Sequence, residues 1–291
     1  MGMSRRRLAA LSIVILAGLL TAGCVGLGNA TSMPIQRSTG IALADLPGDT
    51  APIRIALLSD IHVGNLAMRP KRHADIVRQV NDAKPDVVLL AGDFIIGESE
   101  TGAAERAVDL APLSGLSAPG GVFAVLGNHD HWTDPAAIRR NLADAGVSVL
   151  ENEAVRLGGI TLVGIGDRFS GHDDIPLAAK RAAAAGGVPI AFTHSPDLSP
   201  DLPGNFHVLL AGHTHCGQMV APLVGPIVRY SHGRRLYDQR YRCGRIDDAN
   251  RSTIVTAGVG PGAVPLRFNA MPDWWMIELR RAPSAQGHFT S

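Results

Sequence analysis

The sequence predicts a layered α/β domain, and three observations carry that expectation. Near-continuous apolar runs of strand length recur at 53–59, 87–91, 122–126, 189–193 and 208–211. Helix signals lie between them. No internal repeat at a solenoid period competes with this arrangement. Runs that are apolar without alternation suit strands covered on both faces, because both sets of side chains must leave water.

Composition agrees with a globular chain: of 291 residues, 46% are hydrophobic and 18% charged, room for one large domain or two ordinary ones. A net charge of +1 leaves no overall electrostatic footprint, and no nucleic-acid partner is expected.

In chain order, Arg5, Arg6 and Arg7 precede an uncharged apolar stretch at 8–23, and Cys24 follows. Residues 1–28 therefore read as a signal peptide or membrane anchor with a lipobox-like end. Sixteen residues fall short of the roughly twenty that a span needs, and continuation to Gly28 makes a marginal anchor. The arginines favour the cytoplasmic side. Leu20-Thr21-Ala22-Gly23-Cys24 resembles a bacterial lipobox, with Thr21 in place of the usual leucine. Ser4-Arg5-Arg6-Arg7-Leu8 also resembles a loose twin-arginine signal. Lipoprotein, uncleaved anchor and twin-arginine export all place the body outside the cytoplasm, membrane-associated on the periplasmic or outer face.

Residues 29–51, rich in Ser, Thr, Pro and Gly without a sustained period, read as a linker. The body then runs over 52–281, and 282–291 form an unstructured tail. Within the body, Pro70 opens a helical segment reaching Ala83. Thr133 or Asp134 caps a second helix, with Pro135 at its first position and Gly146 closing it.

The residues that follow the apolar runs are the informative ones: Asp60 and His62, Asp93, Asn128 and His129, His194, and His213 with His215. Taken singly, such residues are turn formers or satisfied histidines. Five strand ends in register are different, because the carboxyl ends of strands in an α/β sheet converge on one crevice. A shared metal or catalytic site is the expectation.

Ser59-Asp60-Ile61-His62, Gly92-Asp93, Gly127-Asn128-His129-Asp130, His194 and Gly212-His213-Thr214-His215 resemble the ordered motifs of the calcineurin-like metallophosphoesterases. The similarity spans nearly all of 53–279. His194-Ser195-Pro196-Asp197, Gln218 and the stretch VGPGAVPLRFN at 259–269 resemble a bacterial subgroup with an N-terminal signal or anchor, which includes exported cell-wall phosphoesterases and lipid A pathway pyrophosphatases. The resemblance implies a metallophosphoesterase sandwich over 52–281, with central sheets flanked by helices. It also implies that Asp60, His62 and His215 hold one metal, that Asn128, His194 and His213 hold the other, and that Asp93 bridges them. Nitrogen and oxygen ligands without a thiolate suit two divalent transition ions, Mn, Fe or Zn. His129 takes the part of general acid, with Asp130 either orienting its ring and raising its pKa or capping the following turn.

The implied activity is hydrolysis of a phosphodiester or pyrophosphate bond, in a substrate lipid-linked or otherwise resident in the envelope. A UDP-2,3-diacylglucosamine pyrophosphatase and a catalytically silent metal-binding envelope protein are the rival readings. Cys216 stands where the subgroup carries glycine, and it reads first as a packed small hydrophobe. Entry into the metal shell and a bridge to Cys243 are its alternatives. Phe94-Ile95-Ile96 follow Asp93 where many relatives carry a second acid. His131, Asp167, Arg168 and His172 read as surface or pocket-lining residues. Arg229, Arg234, Arg235, Arg240, Arg242 and Arg245, interleaved with Tyr230, Tyr237 and Tyr241, read either as a lobe for anionic head groups or as a solvated loop. No substrate-binding residue is named by the sequence.

Overall fold

A computed structural model describes residues 5–283. The chain opens with α1 (Arg5–Thr31), β1 (Ile35–Leu43), β2 (Ile53–Leu58), α2 (Pro70–Asp82), β3 (Val87–Ala91) and α3 (Ala103–Ala107). It continues through β4 (Val122–Val125), α4 (Asn128–Trp132), α5 (Pro135–Asp144), β5 (Ser148–Val149), β6 (Glu153–Leu157) and β7 (Ile160–Gly164). Then come α6 (Ile175–Ala185), β8 (Val188–Phe192), β9 (Val208–Ala211) and two small hairpins, β10 (Val220–Ala221) with β11 (Gly225–Pro226) and β12 (Tyr230–Ser231) with β13 (Arg234–Arg235). The last strands are β14 (Gly244–Asp247), β15 (Ser252–Val255) and β16 (Asp273–Arg281).

Two six-stranded sheets result, ordered β1-β16-β2-β3-β4-β5 and β14-β15-β9-β8-β7-β6. Each is mixed: β2 to β5 run parallel, as do β15, β9, β8 and β7, with antiparallel partners toward the edges. The layered α/β expectation of central sheets flanked by helices holds.

Strand periodicity explains why the runs lack polar alternation. Ile55 and Leu57 of β2, Leu89 of β3, Ile190 and Phe192 of β8, and Val208 and Leu210 of β9 join one cluster between the sheets. Their neighbours Ala56, Leu58, Val88 and Leu90 pack instead with Ile76 and Val80 of α2 and with Ile138 and Leu142 of α5. On the far side, Val163, Ala191 and Leu209 meet Ala178 and Ala182 of α6. Successive side chains thus enter different apolar layers, and neither face tolerates polarity. Asp134 caps α5 by accepting the Ala137 N–H at 2.8 Å, and Pro135 follows it.

The segment 29–51 is not a linker. α1 runs through Thr31, and only Ser32, Met33 and Pro34 separate it from β1, which pairs in parallel with β16 from Ile35↔Asp273 to Leu43↔Arg281. Ile41, Leu43 and Leu46 are buried in the inter-sheet core. The strand escapes sequence detection because it is an edge: Gln36, Arg37 and Ser38 face solvent, so its first half carries no apolar signal. The apolar helix is also longer than the short span read from composition. Residues 9–31 form 23 helical residues, long and apolar enough to cross a membrane, about 35 Å at 1.5 Å per residue. The expected tail lies outside the described residues from 284 onward.

Candidate metal centre

All the strand ends singled out by sequence meet at one place. The turns beyond β2 and β3 are laced together, Asp60 N–H donating to Gly92 O at 2.9 Å and His62 N–H to Asp93 O at 3.1 Å. Gly212 N–H donates to His194 O across β8 and β9, and Gly260 N–H to Asp60 O, at 3.0 and 2.7 Å. Close approach requires glycine: a Cβ on Gly92, at φ +80°, would sit 2.7 Å from Gly127 N and 2.8 Å from His194 Nδ1.

The backbone here is held where L-residues rarely rest. Asp60, His62, Asp93, His213 and His215 have φ of 52°, 52°, 57°, 71° and 48°. Left-handed non-glycine residues cost of order 1 kcal/mol or more each and gather where function over-determines the fold.

Asp130 organises the base of the site. Its carboxylate accepts from the N–H groups of Gly127, Asp93 and Phe94 at 2.8, 2.9 and 2.8 Å. It therefore ties the β4 turn to the β3 turn, and it does not orient His129. Burial, followed by the nearby Asp93 charge, pushes Asp130 up to about 7. The His129 ring is oriented instead by a main-chain carbonyl: Nδ1 lies 2.6 Å from Gly97 O, so Nδ1 carries a hydrogen and Nε2 is left for other work.

Ligand-type atoms fall into three overlapping groups, each within 4.8 Å: Asp60, His62 and His215; His62, Asp93 and His129; and Asp93, His194 and His213. His62 Nε2 lies 3.5 Å from Asp93 Oδ2, and His194 Nε2 lies 3.2 Å from the same oxygen, so Asp93 stands between the groups. His215 Nε2 is 3.4 Å from Asp60 Oδ1 and 3.3 Å from His62 Nε2. His194 Nδ1 donates to Ala91 O at 2.7 Å and His213 Nε2 to Leu236 O at 2.9 Å. Each thereby points its other ring nitrogen inward, His194 Nε2 and His213 Nδ1 approaching to 3.1 Å.

Three facts suit these residues to cations. Asp60 Oδ1 and Asn128 Oδ1 are buried without a hydrogen-bond partner, an arrangement costly unless something else satisfies them. Burial holds the imidazoles of His62 and His213 down, to about 3 and about 4, and lowers His215 as well, so their lone pairs are free. Burial raises the Asp93 carboxyl, but His194 beside it outweighs that effect and keeps it ionised, well below the ordinary range. Asp60, by contrast, is pushed by burial up to about 6. Carboxylates crowded this closely need positive charge between them.

A cavity of about 260 Å³ opens over the centre, reaching Asp93, Asn128, His129, His213 and His215. Its walls are largely apolar, with Trp132, Phe169, Met219, Tyr230 and Val264 among them.

Other sequence expectations need revision. Cys216 is buried beside Ala257 and Ala270, yet its sulfur is bonded to Cys243, with 4.7 Å between the Cα atoms. Asp167 is fully buried rather than superficial, with one oxygen accepting from Ser170 N–H at 2.7 Å and the other unpartnered. His131 stacks on His172 with ring centroids 3.5 Å apart and pairs with Glu151. Phe94 and Ile95, standing where many relatives carry a second acid, are buried and take part through backbone amides that donate to Asp130. Tyr237 and Tyr241 are buried, and the arginines of 229–245 remain at the surface with local partners such as Asp248 and Asp247. Sequence reasoning missed Gly97 and Leu236, whose main-chain oxygens set ring orientation and which no side-chain pattern reveals. It also missed Trp132 and Phe169, hidden as ordinary aromatics.

Two buried-sheet layers flanked by helices, with aspartates and histidines gathered at the strand ends, define a metallophosphoesterase-type hydrolase. Residues 53–217 match the calcineurin-like phosphoesterase family, and the chain belongs to it. It is similar to an uncharacterized metallophosphoesterase of Helicobacter pylori, 33% identical over 80% of this chain. It is also similar to the phosphodiesterase YaeI of Escherichia coli, 31% identical over 81% of this chain and 86% of that one. A transmembrane protein with metallophosphoesterase domain from Bos taurus is 30% identical over 89% of this chain. The chain spans 61% of the length of the Helicobacter relative and 60% of the bovine one.

Proposed function

We propose that the chain is a membrane-held phosphodiesterase that uses two divalent transition ions, Mn, Fe or Zn, to hydrolyse a phosphodiester or pyrophosphate bond in an envelope substrate. The observation that carries this reading is the position of Asp93 Oδ2 between His62 of the Asp60–His62–His215 group and His194 of the group it forms with His213. Asp60, His62 and His215 would hold one ion, Asn128, His194 and His213 the other, with Asp93 common to both. Bound there, the ions would supply charge against the phosphate oxygens and lower the pKa of an attacking water.

The chain's own groups do the rest. Asp130 fixes the two turns that present Asp93 and Asn128. The carbonyls of Ala91 and Leu236 hold the tautomers of His194 and His213. His129, its Nδ1 bonded to Gly97 O, keeps Nε2 for a proton that passes to the leaving oxygen, the general-acid part.

Export and anchoring enter through α1, which serves as signal or anchor, with the catalytic body running from β1, its edge strand, through β16. An envelope diester is favoured over the cytoplasmic UDP-lipid because Arg5, Arg6 and Arg7 keep the N-terminus inside and the body outside. The name of the Escherichia coli relative supports phosphodiester chemistry, and that of the bovine relative supports a membrane setting. Metal analysis of the purified chain, followed by turnover of bis(4-nitrophenyl) phosphate before and after chelation, tests the reading. Two ions per chain and chelator-sensitive turnover are expected; turnover that survives complete metal removal overturns it.

A further inference from the structure

We propose that the β10–β11 hairpin and the adjoining loop through Val264 form a lipid-docking rim that seats the mouth of the cavity on an anionic bilayer. The proposal rests on reading α1 as a membrane anchor. Residues 9–22 of α1 are exposed along their whole length, and the first buried residue is Gly26. Gly26 O accepts the Arg267 N–H at 3.0 Å, and a Cβ on Gly26 would meet the Phe268 ring at 2.6 Å. Phe268 in turn is laced to the hairpin, its N–H donating to Gln218 O at 2.9 Å and its carbonyl accepting from Val220 N–H at 3.0 Å. Met219, between these two, lines the cavity. One short path of backbone bonds therefore joins the point where the helix leaves the body to the wall of the site.

Along that path the surface is apolar where solvent contact makes apolarity costly. Leu223 is fully exposed, and Val224 and Ile227 are about two-thirds exposed. Val264 stands open on the neighbouring loop, and Leu66 beside the exit of α1 is 71% exposed. Contiguous exposed aliphatics of this kind mark an interaction surface. The occupant is a bilayer because the helix that would cross one emerges at the same place.

Charge agrees. Residues 220–237 contain Arg229, Arg234 and Arg235 and no acid, and all three arginines are exposed. Aliphatic side chains flanked by arginines are the pattern of segments that enter the head-group boundary of anionic membranes. Arg229 also braces the hairpin, donating to Val224 O at 2.6 Å and Pro226 O at 3.1 Å. A substrate resident in the bilayer would pass from its own leaflet along Met219 and Val264 to the centre without crossing bulk water.

The full chain, reconstituted in vesicles of phosphatidylcholine and phosphatidylglycerol, tests the proposal by two independent readouts. An environment-sensitive dye is placed at Leu223→Cys, in a Cys24→Ser background, and compared with one at Ala184→Cys on the exposed face of α6. Acyl-brominated lipid should quench the dye at 223 and spare that at 184. Leu223→Asp with Val224→Asp should leave turnover of bis(4-nitrophenyl) phosphate unchanged and lower turnover of a vesicle-embedded nitrophenyl phospholipid diester tenfold or more. Absent quenching at 223, equal quenching at both positions, or unaltered lipid turnover in the double variant overturns the rim. Wild-type chain inactive on both substrates would sink the enzymatic reading alone, since quenching still decides the docking.

Discussion

In the proposed mechanism His129 and Asp93 divide the work of the centre between proton and charge, and each division has a measurable signature. His129→Ala should retain its metals and lose about a hundredfold in rate on alkyl leaving groups, the ordinary scale for a general acid. Nitrophenyl esters, whose leaving oxygen needs no proton, should lose far less; equal losses would move His129 into binding. Asp93→Ala should shed both ions, and His215→Ala chiefly one. Elemental analysis finding two ions in Asp93→Ala would undo the bridging role. At this scale much was legible, because each polar residue directly follows a strand and strand ends are encoded by apolar runs. What stayed hidden were partners that arrive through loops: the carbonyls of Gly97 and Leu236, and the buried carboxylate of Asp167. Their positions depend on chain paths, and side-chain identity says nothing about a main-chain oxygen.

Among the elements, α2 carries a titratable group sealed against the core. His73 is buried, with Nδ1 3.3 Å from Asp109 O and Nε2 without a partner, and burial holds it down to about 4. The unfolded chain takes up this proton near 6.5 and the folded chain only near 4. Stability is therefore full above pH 6.5 and falls as the pH drops through that window, by about 3 kcal/mol at the lower end. Urea unfolding of the detergent-solubilised chain at pH 7 and pH 4.5 should show a smaller decrease in His73→Leu than in wild type. A milder case is α5, where Asp134→Ala removes the cap on Ala137 N–H and should cost about 1 kcal/mol in the same assay. Both helices announce themselves by Pro at the first position. β1 and β6 do not, since edge strands keep one face or more in water, and β15 mutes its apolar signal with Ser252 and Thr253.

For the molecule as a whole, the sequence pointed to one crevice at the ends of parallel strands, and the crevice is there, but it lies where two sheets meet. A single open sheet and a pair of sheets share the same apolar runs; the break falls between β5 and β6, where the chain leaves the first sheet and starts the second as a hairpin with β7. The Cys216–Cys243 bond spans the segment that walls the cavity. Closing a loop of 27 residues' separation should be worth about 3 to 4 kcal/mol on the chain-entropy scale. Reduction should lower the melting temperature and speed amide exchange across 219–242; unchanged exchange there would mean the wall stands without its bond. The grip on α1 has a separate consequence for maturation. The body seizes the chain at Gly26, through Arg267, and again at Asn29, whose Nδ2 donates to Arg267 O at 3.0 Å. With three residues between helix and β1 there is no slack to pay out. With α1 as the proposed anchor, a lipid-bearing Cys24 and an uncut helix would hold the body at the same height, and that fixed stand-off would act as a caliper, selecting a phosphorus by its depth at the bilayer surface as well as by its chemistry.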